Sequence, residues 1–107
     1  MLLATLALTG TLHGVVMRGP TAPVCRSGMP CNEPARGAVL LFSRAGRVAA
    51  RVRIGSTGRY LVRLPAGAYL VRQAAAPGIG FGIRPDRVRV VRGVSTRADF
   101  FIDTGIR

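Results

Sequence analysis

The chain has 107 residues, with 16 Lys+Arg against 4 Asp+Glu and a formal net charge of +12. Every one of those cations is arginine, yet hydrophobic residues make up 49% of the sequence. The apolar content excludes a disordered basic tail, and the length excludes a multi-domain enzyme, since about 100 residues form one domain around one small core.

The arginine excess has two readings. A lysine-free, Ala/Gly/Val-rich composition is what GC-rich coding produces with no functional cause. Guanidinium is also a planar five-donor fork suited to carboxylate and phosphate, and charge this lopsided attracts polyanions non-specifically whatever selected it.

Residues 1–8 read MLLATLAL. This run is too short to span a bilayer, which takes about 20 apolar residues. Its length suits the h-region of a secretory signal, although no cationic n-region or clear A-x-A site accompanies it. The expectation is that residues 1–10 are a signal-peptide remnant or a frayed N-terminus, with an ordinary first strand as the plain alternative. Residues 11–107 are then a single domain, without a transmembrane segment.

Residues 19–37 form a Pro/Cys loop that holds Pro20, Pro23, Pro30, Pro34 and both cysteines, Cys25 and Cys31. Two cysteines cannot supply the four ligands of a zinc site, and their spacing is not C-x-x-C. A Cys25–Cys31 disulfide closing the loop is the simplest use of the pair. In the chain-entropy model such a short loop contributes about 2–3 kcal/mol. The bond persists only in an oxidising compartment, which agrees with a secreted or cell-envelope location. Two free thiols in a cytosolic protein are the alternative.

Beyond the loop, short apolar runs alternate with Gly punctuation at Gly46, Gly58 and Gly67, and none shows helical periodicity. Regular turns about 8–12 residues apart mark an all-β sandwich or barrel. Period-two alternation predicts seven strands, at 11–18, 38–44, 47–54, 59–64, 68–74, 86–92 and 97–103. Val48, Ala50, Val52 and Ile54 are expected on one side of the third strand, with Ala49, Arg51 and Arg53 on the other. Residues 44–47 read as a tight hairpin and 65–67 as a turn, with Gly supplying the positive φ. Residues 76–82 carry three glycines, but neither a following Lys nor a strand–helix context, so they read as a flexible loop rather than a phosphate cradle.

The stretch 58–71, GRYLVRLPAGAYLV, resembles the carboxypeptidase regulatory-like domain, a prealbumin-like (transthyretin-like) sandwich. Gly14-Val15-Val16 and Gly37-Ala38-Val39-Leu40 resemble the openings of that family's first two strands, and the Pro/Cys loop resembles a variant of its small secreted bacterial members. The acidic residue that often precedes G-R-Y is replaced here by Ser56-Thr57. The resemblance implies a seven-stranded Greek-key β-sandwich with Tyr60 and Tyr69 turned inward, and an accessory module rather than an enzyme.

The strand order implied by the resemblance places strands 3-2-5-6 in one sheet and 4-1-7 in the other. Alternation then turns Arg51 and Arg53 outward on one edge of the larger sheet, Val39, Leu41, Leu70 and Arg72 in its middle, and Arg87 and Arg89 on the far edge. An apolar centre rimmed by arginine is an interface-like composition. The same arginine stems also suit a coat that shields the centre. This face is the candidate interaction site, for a protein or cell-envelope component of unknown identity. A salt-sensitive binder of anionic polymers is the second reading.

His13 is the single histidine, and Asp99 falls across from it on the neighbouring strand. That pair suits a surface hydrogen bond better than a catalytic dyad. No Ser/His/Asp set, carboxylate pair or metal set is legible, so neither catalysis nor a cofactor is expected.

Overall fold

The computed structural model describes residues 8–21, 31–74 and 82–104, and the described residues form strands and turns only. The strongest alternation builds β3 (Val39–Arg44), β4 (Arg47–Arg53), β6 (Gly67–Gln73) and β8 (Arg87–Val90), which pair antiparallel in the order β4-β3-β6-β8. The second sheet is organised by β1 (Thr9–Gly19). One edge of β1 pairs antiparallel with β5 (Arg59–Pro65) and then β2 (Glu33–Pro34). The other pairs in parallel with β9 (Ser95–Arg97) and then β10 (Phe100–Asp103), beside which lies β7 (Gly82–Arg84). The result is a seven-stranded Greek-key β-sandwich of prealbumin type, with β2 and β7 as short additions and the seventh strand divided into β9 and β10.

Inward residues of both sheets form one core. Leu12 and Val16 on β1, Leu40 and Phe42 on β3, Tyr60 and Leu64 on β5, Tyr69 and Val71 on β6, and Phe100 and Ile102 on β10 are all buried. The rings of Phe42, Tyr60 and Phe100 lie 5.8–6.3 Å apart in tilted and edge-on arrangements, the geometry that the ring quadrupole favours. These three rings come from β3, β5 and β10, so they tie the two sheets together.

The turns explain the quoted motif. Tyr69 donates its hydroxyl to the Pro65 carbonyl at 2.6 Å, clamping the β5–β6 turn from inside. Arg44 donates to the Ala66 carbonyl at 2.8 Å, and its guanidinium lies 5.2 Å over the Tyr69 ring. Gly67 takes φ 150° beneath that arginine, where a side chain would collide with the guanidinium. The residues of L-P-A-G-A-Y are thus those of a turn and its lock.

In the β3–β4 hairpin, Ala45 has φ 53° and Gly46 φ 76°, the paired left-handed residues of a type I′ turn. Alanine is poorly suited to that region, and asparagine is much better. Ala45→Asn should therefore stabilise the protein by about 1 kcal/mol, raising Tm by several degrees. A lowered Tm in thermal unfolding would contradict this assignment of the turn.

Four features depart from the sequence reading. First, β1 begins at Thr9, and Thr9 and Gly10 pair with Pro65 and Leu64, so the strand reaches into the 1–10 segment. Residues 1–7 lie outside the described residues.

Second, the 19–37 loop is not wholly irregular. Glu33 and Pro34 pair with Arg18 and Met17, Ala35 is buried in the core, and Arg18 meets Glu33 in an ion pair of 2.6 Å. Cys25 lies outside the described residues, as do residues 75–81, which hold most of the predicted glycine loop.

Third, a β-bulge shifts the register between Phe42 and Ser43, so Ser43 opposes Val48 and Ala49 is the extra residue. Val48, expected inside, faces outward and is half exposed.

Fourth, the seventh strand breaks without changing register: His13 opposes Arg97 and Val16 opposes Phe100, a constant offset. At the break the Ala98 carbonyl accepts the Tyr60 hydroxyl at 2.6 Å, while the Asp99 carboxylate accepts the Val15 N–H at 2.9 Å. A side chain thus substitutes for a carbonyl in the ladder. Gly14 opposes Ala98 there, and a Cβ on it would overlap the Ala98 carbonyl oxygen.

Candidate interaction face

The pairing register defines the outer surface of the four-stranded sheet. Leu41 lies between Arg51 on β4 and Arg72 on β6, and Val39 opposes Arg53. Leu70 lies between Ser43 on β3 and Arg87 on β8, and Ala68 opposes Arg89. Alternation therefore turns Val39, Leu41, Arg51, Arg53, Leu70, Arg72, Arg87 and Arg89 to one side, away from the buried Leu40, Phe42, Tyr69 and Val71. Leu70 is 40% exposed, and Val39 and Leu41 are half-buried between the arginine rows.

The bulge adds to this face one residue that alternation alone misplaced, Val48. Val48 extends the apolar centre toward the β4 edge. Ser43 is buried on this face with its hydroxyl spent on the Leu70 carbonyl at 3.4 Å. The signal for Val48 was the one-residue excess of β4 over its partner, which shows only once the strands are paired.

Charge is segregated between the sheets. Three of the four carboxylate side chains, Glu33, Asp99 and Asp103, belong to the six-stranded sheet or its β9–β10 break. The fourth, Asp86, is exposed just before β8 and accepts the Val71 N–H at its carbonyl. Strands β3, β4, β6 and β8 themselves contain no Asp or Glu.

The outer surface of the six-stranded sheet differs. His13 lies in one row between Leu61 and Arg97, and Val15 opposes Arg59. Leu61 is 70% exposed. Asp99 does not serve His13 as a dyad partner: its carboxylate takes the Val15 N–H and the Arg97 Nε, the latter at 3.1 and 3.2 Å. The Val15 N–H, above all, holds this carboxyl below the usual aspartate range against the opposing effect of burial, with Arg97 and then His13 adding to the lowering. Burial, with the nearby Asp99 charge, pushes the Tyr60 phenol up; burial also raises Tyr69, against the pull of Arg44. Both hydroxyls thus remain protonated donors in the bonds that lock the fold. Arg84 stacks 5.1 Å over the ring of Phe101, covering the one outward aromatic on β10.

Among the described residues, no group of three or more His, Cys, Asp or Glu could hold a metal ion, and no helix is long and apolar enough to cross a membrane.

No protein-family model and no curated protein matches the chain. Solved structures do share its fold. The TIE protein of Bacillus anthracis superposes with a TM-score of 0.60 at 20% identity, over 89% of this chain and 16% of that one. A minor pilin of the Gram-positive pathogen Streptococcus agalactiae gives 0.56 at 13% identity, over 89% of this chain and 44% of that one. A DUF3823 family protein from Parabacteroides merdae gives 0.55 at 18% identity, over 90% of this chain and 46% of that one. The chain spans less than half the length of each of these structures, and it is similar to them as a β-sandwich unit.

Proposed function

We propose that this protein is a non-catalytic extracytoplasmic β-sandwich module, of carboxypeptidase regulatory-like type, that contacts another protein or the cell envelope through the outer face of its four-stranded sheet. The observation that carries this reading is the composition of that face: an apolar centre of Val39, Leu41, Val48 and Leu70, arginines on both flanks, and no Asp or Glu within its four strands. An apolar patch in such a rim is the anatomy of a contact surface, and the rim would select partners whose own apolar centre is bordered by acids. The occurrence of the same sandwich as a unit within a pilin and other longer proteins supports an accessory role. A Cys25–Cys31 disulfide in the proline loop belongs to this reading, since it requires an oxidising compartment.

The anionic-polymer reading draws on the same lack of acids. Against it, among the described residues Tyr60 and Tyr69 are buried and Phe101 lies under Arg84, so these rings do not offer the stacking surfaces that single-strand nucleic-acid binders use.

The test is capture of envelope proteins, and self-association, by wild type, Leu41→Asp and Leu70→Asp, with Leu61→Asp on the other sheet as control. Loss in the first two and retention in the third is expected. Unchanged behaviour in folded Leu41→Asp and Leu70→Asp would overturn the proposal. Retention on heparin or DNA that persists well above physiological salt would favour the polymer reading instead.

A further inference from the structure

The surface opposite the proposed contact face holds a concavity of about 290 Å³, lined by His13, Gly14, Val15, Arg59, Tyr60 and Arg97. Three strands converge on it. His13 comes from β1, Arg97 from β9 directly opposite His13, and Arg59 from β5 one diagonal step away. Directly opposed residues lie about 5 Å apart and diagonal ones about 7–8 Å, within reach of long side chains. The hollow lies beside the break in the seventh strand, where Gly14 opposes Ala98.

Its two arginines are differently prepared. Arg97 is held in place by Asp99, which is itself fixed by the Val15 N–H. That contact uses only Nε, so the fork of terminal amino groups stays open on the far side. Arg59 is exposed and has no ion-pair partner among the described residues. Asp99 balances one of the two guanidinium charges, and the remainder is positive without help from His13. A guanidinium whose orientation is already fixed loses less entropy on receiving an anion than a free one, and a forked pair matches an oxyanion. The apolar wall of Val15 and the edge of Tyr60 give room for the body that bears the anion.

We infer that this hollow is a binding site for a single oxyanion group, a phosphoryl or carboxylate group of a small ligand, gripped between the terminal amino groups of Arg97 and Arg59 beside His13. The site is independent of the four-stranded face, so either can exist without the other.

The experiment is an NMR titration of 15N-labelled protein with inorganic phosphate and, separately, with acetate, at constant ionic strength. The expected result is saturable movement of the backbone amides of His13, Gly14 and Val15 and of the Nε–H signals of Arg59 and Arg97. Arg59→Gln and Arg97→Gln, each folded by its amide spectrum, should weaken binding at least tenfold, whereas Arg87→Gln on the other sheet should leave it unchanged. Saturation by either anion supports the site, and the tighter of the two identifies the group. Movement that never saturates, that spreads evenly over arginines of both sheets, or that survives in both Arg59→Gln and Arg97→Gln overturns it, because that is non-specific attraction to a +12 protein.

Discussion

Phe42→Ala should lower the free energy of unfolding by about 3–5 kcal/mol, the range for emptying a buried aromatic position. Phe42 is fully buried on a central strand and touches the ring cluster from the four-stranded side, with Tyr60 at 6.3 Å and Phe100 at 6.1 Å. Removing it costs the transfer free energy of the ring and its aromatic contacts, and leaves a cavity that two rigid sheets cannot close. Domains of this kind are stable by only about 5–15 kcal/mol, so the loss is a large share of the total. Urea unfolding followed by far-UV circular dichroism measures it. Phe42→Leu, which keeps most of the volume, should cost much less. A loss below about 1 kcal/mol for the alanine variant would contradict the central place given to the three rings.

The second large effect is expected at a residue with no side chain. Gly14→Ala adds one methyl group where the Ala98 carbonyl turns in to accept the Tyr60 hydroxyl and where Asp99 enters the ladder. The obstructing atom is backbone, so relief requires moving the β9–β10 break and stretching the Tyr60 bond. Overpacking typically costs about 1–3 kcal/mol, and a buried hydroxyl that loses its partner adds about 1–3 more. Gly55→Ala is the control: a Cβ there meets open space. That variant should be neutral or slightly stabilised through the unfolded chain. Equal stability of Gly14→Ala and wild type in urea would show that the break is not packed against β1 as described.

What the sequence made legible follows from how each feature is encoded. Strand alternation is a local signal with a period of two, so β1, β3, β5 and β6 could be placed closely, and Tyr60 and Tyr69 could be put inside. The hairpin at Ala45-Gly46 and the turn at Pro65–Gly67 were legible because special φ values leave few residue choices. The outward side of Val39, Leu41, Leu70 and their arginine neighbours was legible because side-chain phase assigns it once the strand order is taken from the family resemblance.

The rest depends on pairing. The extra residue at Ala49 is invisible until β4 is set against β3, and it alone moves Val48 to the outside. The break at Ala98 and Asp99 is invisible because the flanking alternation continues unchanged. Only the third dimension shows Tyr60 drawing the Ala98 carbonyl away and Asp99 filling the gap. The hollow beside His13 lies at that break, which is why a chain with one histidine and no evident ligand set gave no hint of it. β2 and β7 were missed because strands of two and three residues carry no period.

Arginine footprinting would show whether the four-stranded face is the contact surface. The protein would be modified with phenylglyoxal alone and in the presence of an envelope extract of the producing cell, and each arginine quantified by mass spectrometry. Protection is expected at Arg51, Arg53, Arg72, Arg87 and Arg89, with Arg63 on the other sheet modified as in the free protein. Protection of Arg63 equal to that of the four-stranded face, protection of Arg63 alone, or none on either face would contradict it.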